Sequence, residues 1–580
     1  MELLHADRAG VAPGTAPAVW WRRAWRHPVA VHVAALAAVL VALVPVVGTG
    51  ASFSADEGAA IVQARHLARD DGWVVDHPVP EADPAGDNYP LELSARGPDG
   101  RTAPFAKHPL YALLLAAASR LGGVTAMVLL SVAGTVAAAA LAAALAGRMA
   151  PGLARPTVWA VGLGSPLLFD AHLVIAHTLG AALAAGAVLF AVRAFEERRR
   201  WPASAAGVLG CMAIGVLLRT EAALFALALA ATVAIAAIVR RHLAALAVAA
   251  AAVVATAGAT FLEDRWVRAL VGGPPTTTGS FAPTATGLAA RLRGFRLTWL
   301  VPSYTGSPAH DLALLAMLGL VVAGAVAARR RPYDGAGIGL LAGAAALAAT
   351  AALATGPDQL VPGLLVTLPL AAAGVVLLRR SQPRRPAAAL AAGTFALFAL
   401  GVLTTQYPQG GSGEWGGRYF ALGLPLLVPL ALAGLAGQAQ RVDRVAARTG
   451  AAALAVCTVA ISFMAVASLR SSHRFTADLM TRIERAGEQI GDHPVLVTTA
   501  PAVPRLAWRT FERQRWLLAD EEDLPDLVTR LRAAGVRRFG LVTNQPTRDQ
   551  ALVEGAGARA VSPDGQPDGG DWHVLVVEAG

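Results

Sequence analysis

Residues 30–58 read AVHVAALAAVLVALVPVVGTG followed by ASFSADEG: twenty-one residues without a formal charge, then a polar segment carrying Asp56 and Glu57. A helix needs about 20 mostly apolar residues to cross a hydrocarbon core. The run is longer than the apolar core of a signal peptide, and similar runs recur along the 580-residue chain. It therefore reads as the retained first span of a polytopic membrane protein. Composition agrees, with a mean hydropathy of +0.52, 55% hydrophobic residues and 15% charged ones. The net charge of +10 comes from arginines in short loops. No basic stripe carries interleaved aromatics, so nucleic acid is not an expected partner. Cys211 and Cys457 fall inside apolar runs, which suits buried structural thiols rather than a metal site or a disulfide framework.

Arg22, Arg23 and Arg26 precede the first span. Positive charge stays on the cytoplasmic side, so segment 1–29 is expected inside and Ala51–His108 outside. That loop holds ten Asp/Glu against five Lys/Arg. Further spans are expected at Val124–Gly147, Pro156–Phe169, His172–Val192 and in the two halves of Ala203–Val239. Arginine clusters at 240–241, 329–331, 379–385 and 441–448 then fall in alternate loops. The alternation holds only if Pro109–Leu121, too short to cross, lies in the outer interface or dips back. The count is about thirteen spans, with the C-terminus outside. The membrane body covers 30–470. From about Ser471 the charge rises, and Val495–Thr498, Phe539–Thr543 and Trp572–Glu578 read as strands beside an amphipathic helix at Leu524–Ala534. Residues 471–580 are thus expected to form a small extracytoplasmic α/β domain. Its Trp508 and Trp516 could stack on sugar rings, though packing is the commoner role of such residues.

Several short motifs carry the ionisable groups. Asp56 and Glu57 open a segment, Ala59–Ala68, read as an amphipathic helix on the membrane surface; carboxylates in a first turn can serve chemistry or simply cap the helix. The first loop closes with Lys107-His108-Pro109-Leu110-Tyr111. Lys107 is the only lysine; the other 48 basic residues are arginine. Its survival suggests a position that needs a compact point charge rather than a flat guanidinium. Asp170 follows Ser165-Pro166-Leu167-Leu168-Phe169, and His172 and His177 come next. Asp170 and His177, seven apart, are expected on one helix face. Ionisable groups in spans are costly and tend to be functional, although a histidine there is often a packing residue. Arg219-Thr220-Glu221 is either an outer turn with a substrate role or a local ion pair ending two helices. Glu414-Trp415-Gly416-Gly417-Arg418-Tyr419-Phe420 leads into a span containing Pro425 and Pro429. Gly-Gly permits close backbone approach, and Arg418, against the charge bias, calls for an anionic partner.

Taken in order, these motifs resemble the GT-C glycosyltransferases, in the branch that holds protein O-mannosyltransferases and lipid A aminoarabinose transferases. The resemblance covers roughly residues 28–470, with Lys-His-Pro-Leu standing where Lys-Pro-Pro-Leu is commoner. It implies a mostly α, GT-C type bundle, a polyprenyl-phosphate sugar as donor, and an acceptor hydroxyl on a glycan, lipid or protein. It also implies inversion at the anomeric carbon, with no nucleotide cofactor and no obligatory metal. Asp56 would be the base, with Glu57 as its neighbour or substitute and Asp170 holding acceptor or sugar. Lys107, His108 and Arg418 would bind the donor phosphate. Tyr111, His177, Arg219, Glu221 and Tyr419 would line the substrate site. A transporter or lipid flippase fits the many spans too, but transporters often show an internal hydropathy repeat, and none is visible here.

Overall fold

The computed structural model describes residues 28–91, 94–103, 108–277, 287–296, 308–358, 362–378, 385–405, 415–561 and 572–579. Among them, eleven helices are long and apolar enough to cross a membrane, starting with α1 (Val29–Val47) and ending with a 47-residue helix, Arg444–Ile490. Ile235, Val239, Phe261, Val456 and Phe463 are each more than half exposed on these helices. Helices with internally paired backbones and apolar outer faces are what a hydrocarbon solvent selects.

About thirteen spans were expected. The difference lies in two broken helical stretches that are too short to count. Pro156–Phe169 was read as one span, but the chain forms Ala154–Gly162, breaks at Leu163–Pro166, and resumes at Leu167–Asp170. Pro166 has no N–H to continue the ladder, so the helix restarts there. Leu364–Thr367 and Pro369–Val376 are divided in the same way, with Pro369 opening the second piece.

Two further expectations change. The helix α2 (Ala55–Ala68) is not an amphipathic surface helix: every residue from Glu57 to Ala64 is buried. It is packed on one side by α3 (Pro109–Met149) and on the other by a short turn, Val503–Leu506. Pro109–Leu121 is helical, and it joins the following span across a kink in α3 where Gly122 and Gly123 leave helical geometry. Gly123 has φ +62°, a backbone that a side chain strongly disfavours.

The composition change at Ser471 falls inside α4 (Arg444–Ile490), which leaves the apolar body as one continuous rod. The α/β domain starts after it. The tiny antiparallel sheet of β1 (Ala95–Arg96), β2 (Thr102–Ala103) and β3 (Thr276–Thr277) lies earlier in the chain. The domain's own sheet contains β4 (Val495–Thr498), β5 (Arg515–Leu518), β6 (Arg538–Thr543), β7 (Arg559–Val561) and β8 (His573–Glu578), in the order β5-β4-β6-β8-β7. β4 runs parallel to β5 and β6, while β8 is antiparallel to β6 and β7. Trp516 is fully buried in it, so its role is packing.

The acidic loop and this domain share a core. Val79 and Ala82 pack among the domain's apolar residues. Asn88 exchanges hydrogen bonds with Leu518 at the sheet edge and also meets Asp523 and Arg530. The turn that presents Asn88 is built on Asp83. The Val79 N–H donates to His77 Nδ1, so the proton of that ring sits on Nε2, which donates to Asp83 Oδ2 at 2.8 Å. The amides of Asp87 and Asn88 donate to the same carboxylate.

Burial alone would raise the Asp83 pKa, but the bonds from His77, Asn88 and Asp87 outweigh it and hold the carboxyl below its ordinary value of 3.8. A depressed folded-state pKa adds stability above the unfolded value, and that stability is lost as the pH falls through the folded value. Protection factors of the amides in residues 77–91, corrected for the intrinsic exchange rate at each pH, should therefore be high at neutral pH and fall below about pH 4. Asp83→Asn should loosen the turn by about 1–3 kcal/mol at neutral pH and flatten the acid dependence. An unchanged acid profile in the variant would show that another group controls the turn.

Candidate active site

The site begins where α1 ends and α2 starts. Ser54 caps α2, and Glu57 closes a capping box: its Oε2 accepts from the Phe53 and Ser54 amides at 2.8 and 2.9 Å. Glu57 Oε1 accepts from the Val174 amide at 2.7 Å. The capping alternative thus describes Glu57 well; it ties the 171–176 link to the first turn of α2.

Asp56 has a different environment. One carboxylate oxygen lies 3.4 Å from Arg418 Nη1 and the other 3.4 Å from Arg505 Nη1, and the side chain keeps 26% of its surface exposed. The two arginines come from 362 and 449 residues away. Each is delivered by glycine. Gly416 and Gly417 have φ +74° and +69°, and a Cβ on Gly416 would stand 2.3 Å from Pro166 Cγ. Trp415 stacks on Phe169 at 5.5 Å just before them. The Arg418 guanidinium then lies over the Tyr419 ring, 5.2 Å from its centroid. On the other side, a Cβ on Gly58 would fall 1.8 Å from the Arg505 carbonyl oxygen. Only a glycine there lets the Val503–Leu506 backbone rest on α2.

Asp170 and His177 do meet, at 3.5 Å and almost completely buried. They do so across a bend and not on one helix face, since Asp170 ends Leu167–Asp170 and His177 starts His177–Glu196. His172 bonds the Leu168 and Leu40 carbonyls, a packing arrangement. Arg219 and Glu221 form a bidentate pair at 3.0 and 2.8 Å between two helices. A Cβ on Gly180, one turn beyond His177, would be 3.4 Å from both Arg219 Cγ and Leu422 Cδ1. The Arg219 stem therefore packs near the chain that follows Arg418 and Tyr419.

His108 has φ +58° and links three elements. Its Nδ1 is 2.8 Å from Glu263 Oε1 and its Nε2 is 3.4 Å from Thr220 Oγ1. Both ring nitrogens are engaged, which describes a clamp better than a phosphate donor. Tyr111 is buried in the first turn of α3. Lys107 and Glu414 lie outside the described residues. No group of three or more His, Cys, Asp or Glu that could hold a metal is present among the described residues.

Arg505 and Glu263 are the residues that sequence reasoning missed. Arg505 left one trace: the glycine directly after Asp56-Glu57, which marks close backbone approach. The assembled site is a partly open carboxylate between two cations, beside a buried Asp–His pair and an Arg–Glu pair. It can accept a proton at Asp56 and attract a phosphate.

No protein-family model and no curated protein matches the sequence. Solved structures do. ArnT from Cupriavidus metallidurans in the apo state is 15% identical, with a TM-score of 0.48, covering 95% of this chain and 98% of that one. The same protein bound to undecaprenyl phosphate is 14% identical, with a TM-score of 0.49 and the same coverage. The Archaeoglobus fulgidus oligosaccharyltransferase in complex with zinc and sulfate is 12% identical, with a TM-score of 0.46, covering 92% of this chain and 72% of that one.

The Gly58 contact is directly testable. Gly58→Ala should cost about 1–3 kcal/mol of stability by overpacking and speed hydrogen exchange in residues 501–510. Arg505→Gln should leave that exchange near the parent's. Equal protection in Gly58→Ala and parent would mean that α2 and the Val503–Leu506 turn are not in firm contact.

Proposed function

We propose that this protein is a membrane glycosyltransferase that moves a sugar from a polyprenyl-phosphate donor to an acceptor hydroxyl at the outer face of the membrane. The observation that carries the reading is Asp56, held between Arg418 and Arg505 in the first turn of α2. The order of motifs along the chain, with its resemblance to GT-C enzymes, supplies the substrate class.

The step balances as an inverting displacement. The acceptor oxygen forms a bond to the anomeric carbon, and the bond from that carbon to the phosphate oxygen breaks. The electron pair leaves with polyprenyl phosphate, and the acceptor proton passes to Asp56. Charge grows on the phosphate as the bond breaks, so cations aimed there favour the transition state over the ground state. Lys107 and Arg418 take that role in this reading. Arg505 orients the Asp56 carboxylate from the opposite oxygen. Asp170, paired with His177, holds acceptor or sugar, and Tyr111, Arg219, Glu221 and Tyr419 shape the pocket around it. Glu57 and His108 keep the loop ends in place. A phosphate ester is already a good leaving group, which fits a site rich in cations on that side.

Asp56→Asn, in purified protein in nanodiscs, should reduce release of polyprenyl phosphate from its sugar donor by about 10²–10⁴-fold while the variant still purifies as folded protein. Retained turnover would remove Asp56 as the base. Lys107→Arg should lower turnover at least about tenfold if a point charge is required; parent-like turnover would make the lone lysine incidental.

A further inference from the structure

A second polar cleft, of about 450 Å³, opens near the far end of α2. Its lower wall is Gly50, just after α1, together with Ser119, Gly123 and Val124 at the kink of α3. Its upper wall is Arg65, Glu484, Trp508, Arg509 and Arg513. The cleft thus lies where the apolar body meets the α/β domain. Arg65 is nine residues beyond Asp56, about 14 Å along the helix.

The charges here are not the routine ones of a helix end. The last carbonyls of α2, Leu67 and Ala68, are already capped by Arg120, which also pairs with Asp70. Arg69 takes Glu512 and Asp71. That leaves three arginines lining the cleft with one acid. Arg509 is 3.5 Å from Glu484. Arg65 meets the Trp508 carbonyl and ring, and Arg513 has no acidic partner among the described residues. Burial, with repulsion from Arg69 and Arg513, pushes the Arg65 pKa down. Trp508 offers a ring and an indole N–H that is buried with no hydrogen-bond partner among the described residues.

We propose that this cleft is a binding site for a phosphate ester at the membrane surface, its phosphate held by Arg65, Arg509 and Arg513 and its polyol portion lying against Trp508. Arginine forks match phosphate oxygens in pairs. The volume falls in the ordinary range of small-molecule sites, and Gly123, with no atom near the place of a side chain, leaves the lower wall open beside the apolar helices. The assignment concerns binding and stands whether or not the transferase reading holds. If both hold, the cleft anchors the acceptor on the side of α2 away from the donor.

The test uses the full chain in phosphatidylcholine nanodiscs with no sugar donor present. Glycerol 1-phosphate is titrated calorimetrically as the soluble probe. Phosphatidic acid is offered in the nanodisc as the lipid probe, and its retention is read by native mass spectrometry. The parent should bind one of them, more weakly as salt rises. Arg513→Gln, at an exposed residue, should weaken binding at least tenfold with an unchanged unfolding temperature; Arg509→Gln should act alike, and Arg513→Lys should recover part of the loss. Asp56→Asn should bind as the parent does, which separates this site from the proposed reaction. Binding of the soluble ester identifies a free phosphate ester as sufficient. Retention of the lipid alone identifies a headgroup as the source. No binding of either probe, or binding indifferent to Arg509 and Arg513, overturns the proposal.

Discussion

The Asp56 carboxylate stands nine residues beyond the nineteen-residue apolar helix α1, and its charge must be matched there. It is matched twice, by Arg418 and by Arg505, one on each oxygen. Much of the surrounding structure follows from bringing those two cations in. Gly416 and Gly417 adopt backbone that other residues avoid so that Arg418 can turn inward. Gly58 gives up a side chain so that the Arg505 backbone can rest on α2. Glu57, one residue from Asp56, is consumed by capping and by the Val174 amide, which fixes the turn from which Asp56 projects. Two adjacent carboxylates thereby take separate tasks.

The same constraint explains why the loop and the C-terminal domain are built as one body. Arg505 can reach Asp56 only if the domain is held down on α2. Three contacts do this: Arg69 pairs with Glu512, Arg65 rests on Trp508, and Asn88 joins the sheet edge at Leu518. The loop in turn is stiffened by the buried Asp83 carboxylate and by Val79 and Ala82 in the domain core. Packing around one carboxylate is thus distributed over residues 54–91 and 484–530.

The spans were legible because a 20-residue apolar run has few other meanings, and the strands at 495–498, 538–543 and 573–578 were legible from alternation and turn residues. Gly416-Gly417-Arg418 could be read because glycine pairs mark close approach. The missed features are of two physical kinds. Periodicity assumes an unbroken helix, so Pro166 defeated both the expected span at 156–169 and the shared face of Asp170 and His177. Periodicity also says nothing about cover supplied from elsewhere, so α2 was read as a surface helix when the domain 449 residues downstream buries it. Arg505 escaped for the same reason: nothing in Val-Pro-Arg-Leu marks it apart from the chain's many other arginines.

His108 closes the first loop as a structural joint. It sits at φ +58° immediately before Pro109, whose fixed ring disfavours the helical region for its predecessor and opens α3 cleanly. The strain of that left-handed residue is held by two partners, Glu263 from a later helix and Thr220 from the Arg219–Glu221 turn. Through His108 the Arg219–Glu221 pair, the start of α3 and the helix carrying Glu263 are joined at one point. The histidine that resembled a phosphate ligand is thus better understood as the joint that sets where the loop ends.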